Sequence, residues 1–261
     1  MFLVRIKNKL NALYNSLITK IETFRVRNYK KKAKIAFNED WFKGKRVAII
    51  GGADSAYKEH LGEFIESYDI VVRLNNGVRL IDKYKECIGT RTDFLFHSFY
   101  VENDSGKSPI ETELWRKHNV GHLIFPHNME SEGYGRRYGN KFLESTKGNY
   151  PFSDCPEDIC KMMRDVFFPI SPTTGAKAIF AIMDCAPKEL YITGITFFKT
   201  AHNQDYRSGS LDYWKDQFHQ TNSFHNPEKE YSCFKELYLK HKSVFKLDST
   251  LQAIIDQDLS S

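Results

Sequence analysis

The chain has 261 residues, 41% of them hydrophobic, enough to bury the core of one large domain. Its net charge of +5 is a mild basic excess concentrated before Arg46, which implies a local patch rather than a nucleic-acid fold. Five scattered cysteines, with no C-x-x-C and no Cys/His cluster, exclude a zinc module and read as free, mostly buried thiols in a reducing compartment.

Residues 1–24 place Leu3, Ile6, Leu10, Leu13, Leu17, Ile21 and Phe24 at three- and four-residue steps. Lysines and arginines fill other positions, and Lys30, Lys31, Lys32 and Lys34 follow. Residues 1–40 therefore read as a basic amphipathic helix with a polybasic linker. The helix is too interrupted by charge to span a bilayer and lacks the apolar core and cleavage site of a signal peptide. Contact with an anionic membrane surface suits it. Packing against its own domain or a partner is the alternative, and a transit peptide a third.

Residues 41–261 read as one catalytic-size domain of α/β class: a Rossmann-like, mostly parallel sheet flanked by helices. Val47–Ile50 is a short apolar run of the kind buried on both faces of a parallel sheet. Gly51-Gly52 turns the chain, Ala56–Tyr68 carries helical spacing, and Asp69–Leu74 returns as a second strand ending on Asn75-Asn76-Gly77. Ligands of such sheets sit beyond the carboxyl ends of the strands. Gly51, Gly52, Asp54 and Ser55 are thus expected to line one crevice with Asn75 and Asn76. There is no G-x-G-x-x-G and no acidic residue ending the second strand, which counts against a dinucleotide site.

Further on, Asp93–Ser98 and Gly121–Asn128 read as strands and Pro109–His118 as a helix. Ser131–Tyr150, rich in Gly, Tyr, Arg and Asn with weak periodicity, reads as a long surface excursion. Glu157–Phe167 is a helix. Pro172-Thr173-Thr174-Gly175 then opens an apolar helix to Asp184, and Glu189–Thr193 is a strand. Two hydroxyls and a glycine at a helix start suit an anion, although plain capping by Thr173 or Thr174 accounts for them equally. Asn226-Pro227 begins another helix, with His225 just ahead of it, where the helix's positive end favours a neutral ring. Val244–Leu247 and Ser249–Asp258 read as a late strand and a closing helix.

Four stretches together resemble the animal-type sialyltransferase family. Ser67-Tyr-Asp-Ile-Val-Val-Arg73-Leu-Asn75-Asn76-Gly77, continued by Gly89-Thr90-Arg91-Thr92, resembles sialylmotif L. Pro172-Thr173-Thr174-Gly175 with Gly194 resembles motif S, and His225-Asn-Pro-Glu-Lys-Glu230 has the H-x-x-x-x-E form of motif VS. Asp212-Tyr213-Trp214-Lys215 falls where motif III has a histidine, so that motif is degraded. The Asn that usually follows the first glycine of motif L is Gly52. The family joins a cysteine of motif L to one of motif S; here Cys185 stands at one position and Val47 at the other, which implies a cytosolic, bacterial-like member.

The resemblance implies a GT-A-like variant of the fold and an inverting, metal-independent glycosyltransferase with no cofactor. The expected partners are a CMP-activated sugar donor, CMP-sialic acid or alternatively CMP-Kdo, and a glycan or glycolipid acceptor. The expected location is the cytoplasm, peripheral on the inner face of the membrane. His225 would be the general base, with Glu230 orienting the loop or ring. Thr173, Thr174, Gly175 and Gly194 would join Asn75, Asn76 and the Gly51–Ser55 turn at the donor. Tyr206, with Tyr213 beside it, would face the leaving phosphate; Arg207, Lys215, His202 and His219 are further candidates. A catalytically idle nucleotide- or glycan-binding protein is the alternative from another class.

Overall fold

The computed structural model describes residues 23–101, 108–219 and 224–260. The amphipathic-helix reading of residues 1–24 lies almost wholly outside the described residues. Seven strands form one sheet: β1 (Arg46–Ile50), β2 (Ile70–Leu74), β3 (Phe94–Phe96), β4 (His122–Phe125), β5 (Phe152–Asp154), β6 (Glu189–Thr193) and β7 (Phe245–Leu247). Their order is β5-β4-β3-β2-β1-β6-β7, and every pairing is parallel. The chain therefore leaves β1 in one direction for β2–β5 and returns to its other side at β6, which makes the β1/β6 junction a topological switch point.

Alternation along β1 shows why the apolar run is continuous. Val47 and Ile49 face one core, with Ile179, Ile182 and Phe234, whereas Ala48 and Ile50 face another, with Ile65 and Ile88. Both faces are covered, so no polar position is left beyond Arg46 at the strand's start. Helices α6 (Glu157–Phe167), α7 (Thr174–Asp184), α9 (Pro227–Lys240) and α10 (Ser249–Ser260) cover the first face. Helices α2 (Gly62–Glu66) and α3 (Ile81–Ile88) cover the second. Over β3–β5, α4 (Thr112–Lys117) and α5 (Gly133–Thr146) close a third cluster. The remaining helices are α1, described over residues 23–33, and α8 (Leu211–His219).

Two expectations change. The helix read over Ala56–Tyr68 is a 3₁₀ turn, Asp54–Tyr57, followed by the short α2, because the chain must bend between them to bring Ala56 and Ile65 onto one core. The surface excursion over Ser131–Tyr150 is instead the 14-residue α5, leading to a fifth strand that the sequence did not announce. Its glycines blur the pattern, but at Gly135 a side chain would meet the Asn128 carbonyl at 2.2 Å, so the helix can pack there only without a Cβ. The polybasic stretch packs onto the domain. Lys34 bridges to Asp154 at 2.8 Å, Ile35 N–H donates to the Phe152 carbonyl, Lys30 pairs with Glu130, and Ala33 is buried.

Asp248, at the junction of β7 and α10, ties the strand ends together. Its Oδ2 accepts from Ser55 Oγ (2.9 Å), Thr193 Oγ1 (3.0 Å) and Gly194 N–H (3.0 Å), and its Oδ1 caps α10 through Leu251 N–H (2.7 Å). Asp248→Ala strands these donors in a buried place and should cost about 2 kcal/mol. Urea unfolding checks this, and a loss below about 0.5 kcal/mol would show that the hub carries little.

Candidate active site

The strand ends β1 and β6 meet backbone to backbone. A Cβ at Gly51 would lie 2.2 Å from the Gly194 carbonyl, and Gly194 adopts φ +69°. Residues after β6 then fold over the glycine turn: Ala53 N–H donates to Gly194 O, Asp54 N–H to Ala201 O, and Asn203 N–H to Gly52 O. The ring of Tyr206 covers Gly52, 2.3 Å from where a Cβ would stand. These glycines are thus required by close packing at the switch point.

Two expected donor contacts are engaged elsewhere. Ser55 donates its hydroxyl to Asp248, and Asp54 accepts from Thr200 Oγ1 (2.8 Å) while pairing with Lys58 (2.9 Å). The turn after Gly52 runs under the 195–206 segment, which supplies Thr200 to Asp54. Asn75, in the left-handed region at φ 42°, holds the Ser98 N–H at 2.9 Å, and Asn76 reaches the Tyr206 carbonyl at 3.3 Å. Tyr206 spends its hydroxyl on the Leu74 carbonyl (3.2 Å) at the end of β2. Tyr213 lies edge-on to Trp214, 41% exposed on α8. Arg207 stacks over Trp214 at 5.0 Å, and its Nε has no hydrogen-bond partner among the described residues. Burial holds its pKa below the ordinary guanidinium value.

The second half of the site forms where the loop before α7 meets the start of α9. Thr173 is the N-cap of α7, with its side chain toward Ala176 N–H. Asn226 caps α9 by accepting from Lys229 N–H at 3.0 Å, with Pro227 at the first position. The two helix starts are joined by Glu230, which is 1% exposed. Its Oε1 accepts from Thr173 N–H (3.0 Å) and its Oε2 from Thr173 Oγ1 (2.7 Å). Thr173 is therefore locked by Glu230, whereas the N–H groups of Thr174 and Gly175 remain in the first turn of α7, partly open.

His225 is fixed by the same junction. Its Nδ1 is 2.6 Å from the Ser171 carbonyl and 4.0 Å from Glu230 Oε1. A carbonyl only accepts, so Nδ1 carries the proton and Nε2 holds the lone pair in the neutral ring. Its pKa lies below the ordinary imidazole value: desolvation favours the neutral form most, the Ser171 carbonyl opposes, and Lys177 and Arg207 add to the lowering. The side chain keeps 40% of its exposure, so the ring is reachable from solvent.

Desolvation also lifts the Glu230 carboxyl to about 7 from its ordinary 4.5, against the two Thr173 bonds and Lys177. Between those values the folded chain binds more protons than the unfolded one, so stability falls as pH rises from about 4.5 to about 7. The change is on the order of 3 kcal/mol. Glu230→Gln stays neutral and should flatten that part of a pH–stability curve; an unaltered slope in the mutant would assign it to other groups.

Sequence reasoning missed one buried group of this site. Lys177, three residues into α7 from Thr174, is 6% exposed, and its ammonium meets His127 Nε2 at 2.8 Å at the end of β4. The available signal was a single charge inside an otherwise apolar helix. Among the described residues no group of three His, Cys, Asp or Glu is placed to hold a metal, and no helix is long and apolar enough to cross a membrane. All five cysteines are free and buried.

The family model described as glycosyltransferase family 29 (sialyltransferase) matches residues 3–133, half of the chain. The human type 2 lactosamine α-2,3-sialyltransferase is 33% identical over 131 residues, covering 44% of this chain and 39% of its own. The mouse protein of the same name is 40% identical over 62 residues, covering 23% of this chain and 18% of its own. The chain thus matches well under half the length of these curated relatives. Solved structures share the fold over far more of it. A mammalian sialyltransferase superposes with a TM-score of 0.53 at 14% identity, over 87% of this chain and 78% of that one. The sialyltransferase CstII from Campylobacter jejuni, solved with cytidine-5'-monophosphate, gives 0.51 at 15% identity, over 79% and 80%. With the motif at Arg73–Gly77 inside the matched half and the parallel sheet shared throughout, this chain belongs to glycosyltransferase family 29, the sialyltransferases.

Proposed function

We propose that this chain is an inverting, metal-independent glycosyltransferase that moves sialic acid from CMP-sialic acid to a glycan hydroxyl. The observation that carries the reading is the orientation of His225. Its Nδ1–H is spent on the carbonyl of Ser171, two residues before the N-cap of α7, so Nε2 holds the lone pair of a ring biased toward neutrality. The acceptor hydroxyl gives its proton to Nε2 as its oxygen attacks the anomeric carbon, and the bond to the CMP phosphate breaks. The imidazolium formed is stabilised by the Ser171 carbonyl and by Glu230 at 4.0 Å.

The N–H groups of Thr174 and Gly175 receive the donor carboxylate, where unpaired first-turn donors and the helix dipole favour negative charge. Asn75 and Asn76 serve the nucleotide beside β2. Arg207 is the cation best suited to the leaving phosphate, in place of the absent motif III histidine, with the Tyr206 hydroxyl already engaged. Neighbours of the same fold, solved with cytidine-5'-monophosphate and with Gal-beta-1-3GalNAc-ortho-nitrophenol, support a CMP-activated donor and a glycan acceptor. The basic helix at residues 1–24 would set the enzyme on an anionic membrane surface from the cytoplasmic side.

One observation favours a second donor. Gly52 and Asp212 stand where the family has an asparagine and a histidine, and CMP-Kdo offers the same carboxylate and leaving group. CMP release from CMP-sialic acid and from CMP-Kdo, with and without acceptor extracts, tests both. Release from neither, in a protein that CMP protects thermally, would replace the transferase with a binding role. Protection by NAD rather than CMP would overturn the nucleotide assignment itself.

A further inference from the structure

On the β4 side of His225 lies a chain of polar groups that the chemistry above does not use. The Lys177 ammonium donates to His127 Nε2 at 2.8 Å, and His127 Nδ1 donates to Glu132 Oε2 at 2.7 Å. His127 is held neutral in this tautomer, with its pKa lowered to about 4 by burial first and then by Lys177. An ammonium has three N–H bonds, and the His127 ring is the hydrogen-bond partner of Lys177 among the described residues. A buried charge is costly unless paired, and a neutral imidazole supplies no charge. Glu132 is one ring away, with its other oxygen 3.0 Å from Arg164.

The surroundings suit a sugar. Tyr134, 39% exposed, lies 4.4 Å from the His127 ring, Tyr138 lies 4.3 Å beyond it, and Tyr100 5.3 Å further. Tyr138 is 4% exposed and braces Tyr134 from below, and the exposed Tyr134 ring offers a flat apolar face for pyranose C–H groups. In the sheet, β3 separates β4 from β2, so the cluster stands roughly 10 Å from the end of β2, where Asn75 lies. Lys177 stands one turn beyond Thr173 on α7, its N–H on the Thr173 carbonyl, and Glu230 ties Thr173 to the His225 loop.

We propose that Lys177, backed by His127 and Glu132, is the acceptor-side anion site, and that the acceptor is an acidic sugar whose carboxylate pairs with Lys177 while its ring lies against Tyr134. This rests on the transferase reading above. It adds that the group receiving the transferred sugar is itself negatively charged.

The test uses the full chain saturated with CMP and titrated calorimetrically with methyl β-glucuronide and with methyl β-glucoside, which differ only by the carboxylate. The glucuronide should bind about tenfold more tightly, and Lys177→Met and Lys177→Gln should abolish the preference. An unaltered CMP affinity in both variants shows that the fold is retained. Equal binding of the two glycosides, no glucuronide binding, or a preference that survives in both variants would overturn the inference. So would loss, in the variants, of the affinity advantage of CMP-sialic acid over CMP, since that would place the ammonium at the donor carboxylate. Failure of the wild type to bind CMP would instead overturn the transferase reading, and this inference with it.

Discussion

Replacing His225 with alanine should lower kcat by about 10²–10⁴-fold while leaving the affinity for CMP within a few-fold of wild type. The first part follows from the proton inventory. An acceptor hydroxyl cannot leave its proton on the Ser171 carbonyl, and Glu230 is 1% exposed and out of its reach, so Nε2 is the acceptor of this junction. The second part follows from the proposed roles, in which Asn75, Asn76 and Arg207, rather than His225, hold the nucleotide. The pH profile adds a sign. A base with a lowered pKa stays neutral further into acid, so kcat/KM should hold its plateau below the ordinary imidazole pKa and fall only at lower pH. Single-turnover CMP release across pH 4–8 checks this. A mutant within fivefold of wild type, or an acidic limb at or above pH 6.5, would mean that another group takes the proton.

Arg73→Met should destabilise the fold by about 3 kcal/mol, with a midpoint shift of roughly 10 °C. Arg73 is fully buried on β2, and desolvation lowers its pKa to about 10. Its Nη2 donates to the carbonyls of Ile88 (2.8 Å) and Gly89 (2.9 Å), and its Nε to Thr92 Oγ1 (3.0 Å). Removing the guanidinium relieves a desolvation cost but leaves three acceptors unsatisfied in a dry interior, and the second effect outweighs the first. Arg73→Lys separates charge from shape, because a lysine keeps the charge and lacks the fork that reaches adjacent carbonyls and a hydroxyl together. Lysine should recover less than half of the loss in thermal unfolding. Full rescue would show that charge alone matters, and a methionine variant as stable as wild type would sink the argument.

Arg73 also marks a division in how the motifs work. The stretch Arg73–Gly77 with Gly89–Thr92 is the most distinctive part of the sequence, yet its arginine builds the scaffold: it staples the turn after α3 to the end of β2, which places Asn75 beside β3. Likewise Gly51 and Gly194 meet each other where the chain reverses direction. These two glycines answer to close backbone approach, and a linear reading assigns them to the ligand because the ligand is what strand ends usually serve.

The alternation-free runs at Val47–Ile50 and Val71–Leu74, the Thr-Thr-Gly helix start and the His225–Glu230 spacing were legible in the chain alone. Each is local: burial on both faces, capping and a two-turn helix approach are written within a few residues. Which polar side chain meets which was not. Ser55 pairs with Asp248 across 193 positions, Glu230 with Thr173 across 57 and Lys177 with His127 across 50. The same holds for α5, whose glycines hide its period until Asn128 and Met129 lie beneath them. Contacts at such separations depend on the order of strands in the sheet, and only the folded parallel sheet brings the ends of β2, β4 and β6 to one edge, where these residues meet.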